Sequence, residues 1–69
     1  MTNAELKEAL LNKNPVVLTM NDGSEINCKY VYGITYREKN GNILVQAEVI
    51  DINGNCKYNC SPAQIRYGV

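Results

Sequence analysis

Two long strand-like runs joined by a tight turn constrain this chain more than any other feature. They occupy residues 26–52, with Lys39-Asn40-Gly41-Asn42 between them. In the second run Ile43, Val45, Ala47 and Val49 fall on one face. Gln46 and Glu48 fall on the other, which is the period-2 pattern of a half-buried strand. The first run is rich in β-branched and aromatic residues, and Asn-Gly is a strong signal for a two-residue hairpin turn. The rest of the chain must close, cap or extend this hairpin.

The first run, residues 24–37, is too long for one straight strand. Ile26 and Cys28 share a parity with Ile34 and Tyr36, whereas Val31 has the opposite one. A β-bulge or sharp bend near Tyr32-Gly33 would bring Val31 and Ile34 to the same interior. Strands bent in this way let a small sheet curl into a barrel.

Ahead of the hairpin, Thr2-Asn3-Ala4-Glu5 has the form of a capping box. Leu6, Ala9 and Leu10 follow at helical spacing, and Asn14-Pro15 ends the pattern, so residues 2–14 are expected to form a short helix. Such a helix is unstable alone, and its Leu6/Leu10 stripe must dock on an open end of the sheet. Val16-Val17-Leu18-Thr19-Met20 reads as a strand and Asn21-Asp22-Gly23 as a turn. A second Asn-Gly turn at residues 51–55 leads to a strand at residues 56–60. Ser61-Pro62-Ala63-Gln64 suits one 3₁₀ turn, and Ile65-Arg66-Tyr67 a short last strand.

With 69 residues the chain is expected to form one domain, residues 1–69, comprising the helix and a β-barrel over residues 15–69. Five strands with a single turn before the last match the plan of a small five-stranded SH3-like barrel, mainly β with one N-terminal α-helix. The Sm-like fold is the near alternative. The expected core is Leu6, Leu10, Val17, Ile26, Val31, Ile34, Val45, Ala47, Val49 and Ile65.

Three cysteines, Cys28, Cys56 and Cys60, cannot form a closed disulfide framework. Residues 2–13 lack the apolar stretch of a secretory leader, and no apolar run nears the roughly 18 residues of a membrane span. A cytoplasmic location with free thiols is therefore expected. Zinc held by the three thiolates is the functional alternative, as is a disulfide between two of them. Structural zinc sites prefer four Cys/His ligands, however, and the chain has no histidine, so buried small hydrophobes are the favoured reading. No metal or other cofactor is expected.

Seven basic residues balance seven acidic ones, without the cationic excess typical of nucleic-acid binders. The absence of histidine also removes the commonest general base. Glu48 with Asp51, and Asp22 with Glu25, read as solvated charges, since so small a barrel offers no deep cleft to raise one pKa. Gly23, Gly41 and Gly54 belong to turns, not to a phosphate-cradling loop. The chain is not expected to be an enzyme or to take a small-molecule substrate.

Five tyrosines are the only aromatics, and cations interleave with them. Tyr30, Tyr32, Tyr36, Arg37, Lys57 and Tyr58 are thus the candidate partner-binding residues. A tyrosine-bearing face suits an extended peptide or a single-stranded nucleic acid, while the plainer reading is cross-strand filling with hydroxyls in water.

Residues 31–55 together with Ser61-Pro62-Ala63-Gln64-Ile65 carry I-T-Y-R at the hairpin entry, A-E-V-I-D-I-N-G-N after it and a closing S-P-A-Q-I. In these features the chain resembles small uncharacterised proteins of prophages and integrative elements of low-GC Gram-positive bacteria. The resemblance implies the barrel and the compartment but no activity. The expected role is a non-catalytic protein-interaction module that binds a protein partner or itself through a tyrosine-bearing face or an unpaired strand edge. A small nucleic-acid-binding barrel, Sm-like or single-strand binding, is the alternative.

Overall fold

A computed structural model describes residues 1–68. Its longest element is bent where parity demanded it. Strand β2, Glu25–Lys39, pairs antiparallel with β3, Asn42–Asp51, and the register slips twice. One slip lies between Cys28 and Tyr30, the other between Val31 and Gly33, so Lys29 and Tyr32 are extra residues on β2. Each slip inverts the parity of the residues beyond it. Cys28 and Val31 therefore both reach the core, and Ile34 opposes the core residue Ala47. One bend was expected from the alternation, and the second accounts for Cys28.

Strand β1, Val16–Thr19, lies between β2 and β5, Ile65–Tyr67. β4, Lys57–Cys60, borders β3 opposite Ala47 to Ile50. All five strands are antiparallel in one sheet of order β4-β3-β2-β1-β5. The molecule is thus mainly β with one N-terminal helix. No ladder joins β4 to β5 among the described residues, yet Cys60 of β4 and Ile65 of β5 enter the same core, so the sheet curls around it.

The helix α1, Asn3–Asn12, is shorter than the expected residues 2–14. Thr2 and Glu5 form the capping box: Thr2 N–H donates to Glu5 Oε1 at 2.9 Å, and Glu5 N–H donates to Thr2 Oγ1 at 3.2 Å. The Thr2 N–H, and then the Thr2 hydroxyl, hold the Glu5 carboxyl below its ordinary pKa. The helix stops before Asn14-Pro15 because Lys13 turns left-handed, with φ 54° and ψ 42°. Leu6 and Ala9 are fully buried, whereas Leu10 is only partly so. The helix packs chiefly on β2, and the Tyr67 hydroxyl donates to the Glu5 carbonyl at 3.1 Å.

The core comprises Leu6, Ala9, Val16, Leu18, Cys28, Val31, Ala47, Val49, Cys60 and Ile65. Ile26, Ile34 and Val45 pack against it from half-buried positions, like Leu10, in place of the full burial expected. Val17 is buried but lies outside this cluster, whereas Val16 and Leu18 belong to it. An unbroken apolar run on a strand paired at both sides carries no parity, so alternation could not choose between them. Between β4 and β5, Pro62–Gln64 forms the 3₁₀ turn, with its own box between Ser61 and Gln64.

Candidate contact surface

The six candidate residues do not form one face. Residues opposed across a ladder share a side of the sheet. Tyr30 opposes Ile50, which opposes Lys57, and Arg37 opposes Leu44; these lie on the outer side, away from core residues Ala47 and Val49. Tyr36 opposes Val45, and Tyr58 opposes Val49, so both lie on the inner side. Tyr58 packs against the core, and its phenol is pushed up in pKa by neighbouring Cys56 and by partial burial.

On the outer side a small polar cluster surrounds the second bulge. The Lys57 ammonium lies 5.2 Å from the centroid of the Tyr32 ring, a cation–π contact. The Glu48 carboxylate occupies the space over Gly33, where an added Cβ would stand 3.3 Å from its carboxyl carbon. Thr35 Oγ1 donates to Glu48 Oε1 at 2.5 Å. Partial burial, and then the Glu48 charge, push the Tyr32 phenol up. Lys57 thus covers a ring that stacking would need, and Glu48 sets a negative charge where a phosphate would approach. Nothing in the amino-acid pattern pointed to the Thr35–Glu48 contact, which arises from the bulge register.

An unpaired strand edge was expected, and the structure locates one. The β1 ladder leaves β2 at Cys28, and the β4 ladder leaves β3 at Ala47. Residues 35–39 and 42–46 therefore form a ladder only with each other, a two-stranded arm whose base packs against the core through Val45 and whose tip is exposed. Its turn has Asn40 at φ 52° and Gly41 at φ 82°, the signs a two-residue type I′ hairpin requires. Gly41 N–H donates to Glu38 Oε1 at 3.0 Å. Ile43 is 74% exposed, Tyr36 55% and Leu44 45%. The alternation correctly assigned Ile43 the parity of Val45 and Ala47, but the core ends before reaching it.

The two long edges of the arm differ in charge. The β2 edge carries Arg37, Glu38 and Lys39, whereas the β3 edge, residues 42–46, is Asn-Ile-Leu-Val-Gln. Charged residues on an edge discourage the addition of another strand, and an uncharged β-branched and apolar edge invites it.

The cysteines do not assemble. Cys28 and Cys60 are buried in the core and Cys56 is exposed, all as free thiols. Burial, and then the neighbouring Cys28, raise the Cys60 thiol to a pKa of about 11. Asp51 accepts from the Asn55 and Cys56 N–H groups at 2.7 and 3.1 Å, which orders the Asn-Gly turn. Among the described residues no three potential metal ligands gather, and no helix is long and apolar enough to cross a membrane. Comparison with protein-family models, curated proteins and solved structures finds no match.

Proposed function

We propose that this protein is a non-catalytic contact module that binds protein through its hairpin arm. The supporting observation is the uncharged edge of residues 42–46, which carries exposed Ile43 and Leu44 and has exposed Tyr36 beside it on β2. An isolated two-stranded ribbon is marginally stable in water, and apolar side chains at its tip are better accommodated against a partner. An added strand would supply main-chain hydrogen bonds for affinity, with Ile43 and Leu44 giving contacts on opposite faces. Within the same proposal, a mobile-element origin rests on the resemblance in residues 31–55, and a cytoplasmic site on the odd number of cysteines.

The nucleic-acid alternative draws on Tyr30, Tyr32, Arg37 and Lys57. It is weakened by Glu48 among them and by even charge overall. A photo-crosslinking side chain in place of Ile43, with one in place of exposed Leu11 as control, separates the readings in cells making the full chain. Protein adducts at position 43 above the control are expected. Nucleic-acid adducts, or no excess over position 11, would overturn the proposal.

A further inference from the structure

We infer that the strand added to the arm is the same strand of a second copy, paired antiparallel about a two-fold axis at Leu44. The inference rests on the protein-contact reading and names its partner. Residues 42–46 are self-complementary in that arrangement: Leu44 opposes Leu44, Ile43 opposes Val45, and Asn42 opposes Gln46. β-branched and aliphatic cross-strand pairs of this kind stabilise a sheet, and the terminal amides match donor to acceptor.

The neighbouring β2 strands extend the match. On the inner side the register gives Tyr36, Val45 and then Ile43 of the second copy in one row, with its two-fold mate beside it. Six apolar side chains thereby form one continuous stripe, bordered by Glu38 from each copy. On the outer side the two Leu44 residues meet at the axis with Arg37 of each copy outside them. No charged residue of either copy opposes a like charge across the new ladder, because the joining strands carry none. The chain's balance of seven basic and seven acidic residues also removes long-range repulsion between copies.

Charge selects the edge as well. The same arm offers its β2 edge, but pairing there would bury Arg37, Glu38 and Lys39 against an incoming strand, which disfavours it. The β4 ladder stops at Ala47, leaving residues 42–46 of β3 without a ladder partner on that side, although the turn at Pro62–Gln64 packs beside β3. A two-fold pairing of those five is closed, so it makes a dimer and not a fibre.

Light scattering across a concentration series, at low and high salt, tests this on reduced full-length chain. Leu44→Lys sets two ammonium groups opposite each other at the axis, and Ile43→Lys breaks the inner row. Leu11→Lys, at an exposed helix position, is the control. The wild type and the control should rise toward twice the mass of one chain, independently of salt, while both arm variants stay at one chain. A wild type that remains a single chain up to millimolar concentration overturns the self-pairing, as does a dimer that survives both arm substitutions. Amide exchange on the single-chain form distinguishes the two levels. Rapidly exchanging edge amides in residues 42–46 would leave the contact reading standing with another partner, whereas protected ones would remove the open edge itself.

Discussion

The body and the arm share the same two strands, β2 and β3, yet one part is packed and the other is not. Along β3, Ala47 and Val49 are fully buried, and Ile43, on the same face, is 74% exposed. Chemistry hardly distinguishes isoleucine from valine here. Neighbours do: β4 and β1 flank the strands only over the body, and α1 covers the core side there. A strand pattern gives which side faces inward, while the tertiary neighbours determine how far the inside extends.

This contrast predicts unequal responses to substitution. Leu18→Ala removes a buried side chain from the body and should cost about 2–5 kcal/mol, read from urea unfolding. If the loss is under about half a kcal/mol, the body is not the packed unit described. Raising pH should also act on the body. The Cys60 thiol is raised to about 11 in the fold against an ordinary value of 9.0, so the unfolded chain ionises first and stability is lost as pH climbs from 9 toward 11. The loss at the upper end should be on the order of 2 kcal/mol, and Cys60→Ala should flatten the slope.

Gly41→Ala targets the arm alone. Its φ of 82° lies in the left-handed region while the space around it is open, so strain of about 1 kcal/mol should arise without a clash. Exchange at arm amides should quicken while the deepest body amides, Val16 and Leu18 among them, keep most of their protection. An equal loss across both parts would show that arm and body unfold as one. The smallest effect belongs to Ile43→Ala, expected within about 0.5 kcal/mol in the single-chain form because the side chain is exposed.

Much of this architecture could be read locally. The capping box at Thr2 and Glu5, the Asn40-Gly41 turn and the Ser61-Pro62-Ala63-Gln64 turn are short-range chemistry, and each stands where the residues put it. The bend at Tyr32-Gly33 was legible because Val31 and Ile34 could share an interior only through a slip. The slip at Lys29 answers the same kind of conflict, between Ile26 and Val31, but the alternation was resolved only at Tyr32-Gly33 and left this one undrawn. In β1, Val17 and Val16 were indistinguishable without knowledge of the flanking strands. The contact surface was the least legible feature. Tyrosines attract notice in a sequence, but the bulge at Tyr32 puts Tyr36 on the side opposite Tyr30 and Tyr32, and the β4 register puts Tyr58 with Tyr36. Residues 42–46 read as ordinary strand, and only the lengths of the β1 and β4 ladders reveal that their outer edge is free.

Native-state hydrogen exchange on the wild type at dilute and concentrated conditions tests the division into packed body and open arm most directly. At dilution, body amides at Val16, Leu18 and Val49 should exchange only through global unfolding, and the outward-facing amides of residues 42–46 rapidly, without any opening step. On concentration the edge amides should gain protection and the body should not change. Edge amides as protected as the body in the dilute single chain would contradict this division, because no free edge would then exist.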